Sequence, residues 1–339
     1  GMGGDAGREA GVFVRNASAF VAQTLLTASG TLLTHASRGD GGEYEYNTLT
    51  IPLFSEVLKL ALSSALVLRE AYGPQPPPMR LEWRSFAFSA LPSFLYFMSN
   101  NFNFIIIKEI GPSAFQLLNN LKILTTAVFF RLLVKKPLSP LQWRMLVVIS
   151  VSCVLSQADA GGGFQGSFKG YALKVVNSCL TALSSVFCEL FLKRTENSVH
   201  LQNMQMYFWG SLFTTLSVLM SPGGQVVGRF EALFEGHNVL SSLLVCNYAF
   251  VGIATALVMK YIDNIAKTMS TTLAMFLVAF SAHALFGEPI TYNLVLSMIV
   301  TGIAIDVYYR GEELSVAPTP ASPPLTEFQP RGKEARAYA

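Results

Sequence analysis

Charge is scarce in this sequence. Of its 339 residues only 13% are Asp, Glu, Lys or Arg, about half the share of an average soluble domain. So few ionisable groups cannot cover the surface of a soluble enzyme of this length, and 51% of the chain is hydrophobic. An integral membrane protein with several spans is expected. The formal net charge of +3 is small and scattered, which excludes a nucleic-acid binder. Cysteine is scarce too. Cys153, Cys179, Cys188 and Cys246 each lie in an apolar run, which predicts free buried thiols and no disulfide frame. There is no CxxC, zinc spacing, HExxH or GxSxG, and neither Lys122 nor Lys267 follows a glycine-rich loop. No catalytic residue, metal or cofactor is expected, and the chain does not read as an enzyme.

What is present is a series of long apolar runs. A span needs about 20 such residues, and ten can be placed: 12–35, 49–69, 84–107, 112–134, 141–158, 169–192, 202–221, 239–260, 263–286 and 290–309. The fold class is therefore all-α integral membrane. Residues 1–11 read as a cytosolic N-terminus, 12–310 as one ten-helix domain, and the proline-rich 311–339 as a disordered cytosolic tail. Arg80, Arg84, Lys135, Lys136, Lys193, Arg194 and Arg310 all fall on one side of this arrangement. The positive-inside rule makes that side, and both termini, cytosolic. Ten spans divide into halves of about 12–158 and 169–310. With an odd number of spans in each, the second half is inverted relative to the first, which places a binding site at the midplane between them. Ser178, Thr181, Ala182 and Ser185 in the sixth span predict close helix approach.

Two lysines interrupt the apolar runs. Lys122 lies in FQLLNNLKILTTAVFF, preceded by Asn119 and Asn120, and Lys267 lies in NIAKTMSTTLAMFLVAF. A lysine in hydrocarbon costs several kcal/mol by most accounts, about 3 on insertion scales, so such residues face polar cavities. Either alone could snorkel to an interface; the pair, one in each half, points to an anion clamp. Other interior polar residues leave two readings open. Asn101 suits either a base edge or helix-to-helix contact. Asn203 and Tyr207 share a face of the seventh span and suit a ring-shaped polar ligand, but tyrosine is also an interface anchor. Glu56 and Lys59, at i and i+3, read as a structural ion pair or a substrate contact. Asp263, beside Asn264, reads as a helix cap that could hold Lys260.

The stretches IPLFSEVLKL, QLLNNLKI, KKPLSPLQW, NMQMYFWG and MKYIDNIAKTMSTTLAM together resemble the Golgi nucleotide-sugar transporters of the drug/metabolite transporter superfamily. The likeness is nearest to the CMP-sialic acid carriers and their plant and algal relatives, and it covers about residues 12–310. It implies a multi-pass Golgi protein that exchanges a nucleotide sugar for its nucleoside monophosphate across the lipid bilayer by alternating access, and it admits a homodimer. In the family, the lysines matching Lys122 and Lys267 hold the phosphates. The residue matching Asn101 reads the base, and those matching Asn203 and Tyr207 contact the cargo. A tyrosine is common seven residues before the first lysine; here Phe115 keeps the ring and lacks the hydroxyl. Asn119 and Asn120 occupy cavity positions at which relatives vary. A UDP-sugar/UMP antiporter, or a scaffold that no longer transports, are the competing expectations.

Overall fold

The computed structural model describes residues 2–37, 44–135, 137–156, 167–194, 196–220, 233–287 and 289–316. Among them the chain is helical and contains no strand. The helices are α1 (Met2–Ala36), α2 (Thr50–Ala71), α3 (Trp83–Asn119), α4 (Leu121–Phe129), α5 (Pro140–Leu155), α6 (Phe168–Arg194), α7 (Val199–Met220), α8 (Val239–Tyr261), α9 (Asn264–Phe286) and α10 (Tyr292–Val316). A π-helical turn, Phe130–Val134, extends α4. Within the described residues, five helical segments are long and apolar enough to cross a membrane: Thr50–Ala71, Phe168–Arg194, Val239–Tyr261, Asn264–Leu285 and Tyr292–Gly311. α5 is apolar but shorter.

Local chemistry sets several of the ends. Ser139 caps α5 in a reciprocal box: its hydroxyl accepts from Gln142 N at 3.2 Å and its own N–H donates to Gln142 Oε1 at 2.9 Å, with Pro140 opening the helix. Asn238 and Ser241 form the equivalent box at α8. The Asp263 carboxylate accepts from Ala266 N at 2.8 Å and caps α9, as the sequence predicted. α9 stops at Gly287, whose φ of +72° is a left-handed turn that favours glycine.

Three boundaries differ from the sequence expectation. α1 begins at Met2, ahead of residue 12, because residues 1–11 hold no proline and an apolar run downstream nucleates the helix. α10 runs on through Val316, since Glu312, Glu313 and Leu314 are good helix formers and the first proline beyond is Pro318. Residues 317–339, expected as a tail, lie outside the described residues, as does most of the expected loops 36–48, 159–168 and 222–238. The third difference is helix continuity. Residues 108–119 are helical, where a break was expected at 108–111, and the interruption falls at Asn120. A straight 37-residue helix would be about 55 Å long, yet contacts with α6 show that the path turns. A Cβ on Gly170 would meet Ile110 Cγ2 at 2.5 Å, Asn177 donates to Asn103 at 2.7 Å and Ser184 donates to Pro92 O at 2.7 Å. Up to Ile110, α3 therefore runs antiparallel to α6. Beyond it the direction reverses, with Asn119 against Lys174 at 3.2 Å and Thr125 donating to Ser178 O at 3.3 Å.

The surface is inverted relative to a soluble protein. On α10, Leu296, Ile299 and Ile303 are 52%, 52% and 60% exposed, while Ser297 and Thr301 are fully buried. The buried polar face meets α5, where Ser152 donates to Ser297 O at 2.7 Å and its hydroxyl lies 2.8 Å from that of Thr301. Apolar groups outward and small hydroxyls between helices are what a hydrocarbon solvent selects. The stripe expected on α6 behaves this way too. Thr181 bonds Ser99 at 2.5 Å and Ser185 bonds Tyr96 at 2.7 Å. α6 thus carries α3 and α4, and further helix pairings are α1 with α8 and α9, α2 with α7 and α8, α3 with α7, and α5 with α10.

Between α7 and α8, His237 joins the segment at 233–238 to residues 46–54. Its Nε2 lies 2.8 Å from Thr50 Oγ1 and its Nδ1 3.1 Å from Ser241 Oγ, and its ring stacks on Tyr46 with centroids 5.2 Å apart. Burial holds its pKa below the usual 6.5. The folded state then binds fewer protons than the unfolded one, so this contribution to stability is full above pH 6.5 and falls as the pH drops through it. Thermal midpoints recorded between about pH 7 and pH 5 should therefore decline in the wild type, and His237→Gln should flatten that decline.

Candidate functional site

Two adjoining cavities, of about 320 Å³ and 570 Å³, lie among α2, α3, α7 and α8, and the smaller also reaches α9. Both are lined by Glu56, Lys59, Phe97, Asn100, Thr214 and Gly252, so they form one continuous space. Glu56 and Lys59 are ion-paired within it. The Lys59 ammonium also stands 4.8 Å from the centroid of the Tyr207 ring. The neighbouring helices come close because they offer glycine here. A Cβ at Gly210 would stand 2.6 Å from Glu56 Oε2, and one at Gly252 would stand 2.5 Å from Lys59 Cδ.

Lys267 enters the smaller cavity from α9. Its ammonium donates to Tyr96 Oη at 2.7 Å and to Ser185 Oγ at 2.5 Å, and these two hydroxyls are bonded to each other. Neutral oxygens thus hold the cation in place without cancelling its charge. A third cavity, of about 520 Å³, is lined by Lys122 with Thr27, Thr31, Asn119, Asn120, Thr271 and Thr272. Among the described residues Lys122 has no hydrogen bond and no acidic partner. α9 supplies both spaces, Lys267 to one and Thr271 and Thr272 to the other. The structure therefore places the two lysines on different cavities rather than face to face in one. Their charges remain within Coulombic reach of each other.

The remaining expected site residues are distributed as follows. Tyr207 lines the smaller of the adjoining cavities and Asn101 the larger. Asn101 donates to Phe97 O at 2.8 Å, which leaves its carbonyl oxygen to serve the cavity. Asn203 is fully buried on α7 and is not among the lining residues. Neither polar atom of its side chain has a partner among the described residues, and Gln205 is in the same state. Buried amides left so are costly unless a ligand or water completes them. Phe115 packs with Ile106, Ile110 and Leu118, under the ammonium of Lys174. Asn120 forms the break between α3 and α4.

Among the polar residues expected to be structural, Asp263 caps α9 and the Asn264 N–H donates to Glu189 Oε2 at 3.1 Å. Lys260 donates to Asn197 O at 2.8 Å and Gln202 Oε1 at 2.5 Å. Glu189 pairs with Lys193 at 2.6 Å.

Sequence reasoning missed Tyr96, which holds Lys267, and saw Ser185 only as a small packing residue. It also missed Lys174. That lysine was legible: it stands among Ala172, Leu173, Val175 and Val176 with no acid within four residues.

Comparison with known proteins bears on what such a set of cavities serves. The profile of a family described as nucleotide-sugar transporter matches residues 15–309. CMP-sialic acid transporter 1 of Oryza sativa subsp. japonica is 34% identical over 319 residues, spanning 89% of this chain and 96% of that protein. CMP-sialic acid transporter 1 of Arabidopsis thaliana is 32% identical over 297 residues, spanning 84% and 87%. A solved crystal structure superposes with a TM-score of 0.66 at 15% identity, over 88% of this chain and 98% of that one, a likeness of fold alone.

Proposed function

The chain belongs to the nucleotide-sugar transporter family, and from that premise we propose that it exchanges a CMP-linked sugar for CMP by alternating access. The observation that carries this reading is the arrangement of Lys122 and Lys267. They are half-buried cations without acidic partners among the described residues, on two cavities that α9 helps to line. Each can take a phosphate oxygen as a charge-assisted partner. Lysine suits a carrier because it holds the phosphate as a point charge, without the bidentate fork of arginine, and so permits release. Asn101 and Tyr207 supply an amide and a phenol on the adjoining walls, suited to a base rather than a bare sugar phosphate. The two named relatives favour cytosine as that base. Phe115 is the residue that leaves UDP-sugar/UMP exchange as the second reading.

The fold proposed is ten membrane helices in two inverted five-helix repeats, with both termini cytosolic and the protein in the Golgi membrane. The helix pairings support it. Exchanging each helix for the one five places along the chain turns α1·α8 into α3·α6, α1·α9 into α4·α6, and α2·α8 into α3·α7. It leaves α2·α7 and α5·α10 unchanged. Repeats related in this way rock against each other around a fixed site. The repulsion between the two lysines opposes closure of the unloaded carrier, and bound phosphate removes it, which yields exchange rather than leak.

Counterflow in proteoliposomes tests the reading. Vesicles loaded with CMP should accumulate labelled CMP-sugar, while UMP and GMP should not drive uptake. Uptake driven by UMP alone would transfer the assignment to UDP-sugars. Uptake with none of the three would remove the transport reading.

A further inference from the structure

Lys174 is a third lysine, apart from Lys122 and Lys267 and lining neither of their cavities. It is 2% exposed, on the second turn of α6. Its ammonium contacts two groups: Asn119 Oδ1 at 3.2 Å, and the ring of Phe115, whose centroid is 3.6 Å away. Among the described residues no carboxylate is paired with it. Three other lysines are better compensated. Lys59 has Glu56, Lys193 has Glu189, and Lys260 has two oxygens. Burying a cation against one amide oxygen and a ring face is a poor exchange for water, so the site is completed by something else.

The neighbours indicate what. Asn119 lines the cavity of Lys122. Its Oδ1 is engaged by Lys174, which leaves Nδ2 as its remaining polar group, a donor. The wall of that cavity therefore combines the Lys122 ammonium with an amide donor, and a second positive charge stands directly behind. Lys174 and Lys122 are close enough to repel, a cost that an anion between them would remove. Lys267, on the other cavity, is held by its own hydroxyls. A nucleoside monophosphate carries one anionic centre; a nucleotide sugar with an acidic sugar, or with a diphosphate, carries two.

We infer that Lys174 is a specificity-determining positioning residue, which fixes Asn119 and, with Lys122, builds a subsite for a second anionic group of the cargo, distinct from the phosphate at Lys267. This rests on the reading of the protein as a nucleotide-sugar carrier. The second group is either a sugar carboxylate or a second phosphate.

The test is binding to purified full-length protein, by thermal shift and titration calorimetry. The ligands are CMP, CMP-sialic acid, UMP, and a uridine diphosphate sugar whose sugar is neutral. Lys174→Met should weaken whichever nucleotide sugar the wild type prefers by about tenfold, the size of one modest electrostatic contact. It should leave the matching monophosphate within about twofold. Lys174→Arg should restore the preference. Preference for CMP-sialic acid identifies the carboxylate, and preference for the diphosphate identifies the second phosphate. The methionine chain replaces an unpaired buried cation, so its unfolding temperature without ligand should equal or exceed that of the wild type. If it does not fold, Lys174→Gln serves with the same expectations. An equal loss for monophosphate and sugar nucleotide, or no loss for either, overturns the subsite while leaving the carrier reading intact. A wild type that binds none of the four overturns both.

Discussion

Lys122→Ala and Lys267→Ala are each expected to abolish nucleotide exchange while the protein remains folded. The two halves of that expectation rest on one structural fact. Neither lysine has an acidic partner among the described residues, so removing it leaves no buried carboxylate without a cation. At Lys267 the two hydroxyls that receive it, Tyr96 and Ser185, are already bonded to each other at 2.7 Å and keep that bond. Fold and unfolding temperature should therefore survive, because deleting an uncompensated buried charge is neutral or stabilising. The loss falls on the cargo. A charge-assisted hydrogen bond contributes about 1.5–3 kcal/mol, so each alanine should weaken nucleotide binding by roughly ten- to a hundredfold. Exchange should fall to background, since the unloaded carrier no longer has two charges for the cargo to neutralise. Thermal shift and counterflow on the same preparations separate the outcomes. Full exchange in either variant removes that lysine from the mechanism. A collapsed unfolding temperature would show it to be structural instead.

The helices were legible because each apolar run is longer than any turn signal inside it, and the α9 cap because Asp263 stands just ahead of its run. Lys122 and Lys267 were legible because a charge in hydrocarbon conflicts with everything around it. The relation between them was not. That Lys122 and Lys267 line separate cavities depends on which face of α9 each neighbour meets, a tertiary fact with no local signature. Gly111 and Pro112 suggest a break after Ile110, and the chain turns there while its residues stay helical. Phe115 keeps the ring expected at its position, and that ring lies beneath Lys174. The sequence separates the two by 59 positions, and only the pairing of α3 and α4 with α6 brings them together. Tyr96 has no local signature, because a tyrosine in a span is ordinary; its role comes from Lys267 lying 2.7 Å away.

Glu56→Gln should tighten nucleotide binding and slow exchange, at a cost in stability. Glu56 and Lys59 line the cavity that also holds Lys267, with side chains 22% and 12% exposed. As an ion pair they add no net charge, and Lys267 alone sets the sign of that space. Gly210 and Gly252 bring α7 and α8 close against the pair on one side, while the cavities open on the other. In the glutamine variant the shape stays, and Lys59 becomes a second positive charge beside Lys267. Without nucleotide the protein should lose about 1–2 kcal/mol, less than the 3–5 typical of a fully buried pair because both ends are partly wet. Saturating nucleotide should recover most of that loss by mass action. The added attraction lowers the free energy of the loaded state more than that of the crossing, so binding tightens while turnover slows. Calorimetry and counterflow read the two effects independently. Weaker binding in Glu56→Gln would mean that the carboxylate itself touches the cargo, as an acceptor for ribose hydroxyls or a base amine, and that its pairing with Lys59 is broken when the carrier is loaded.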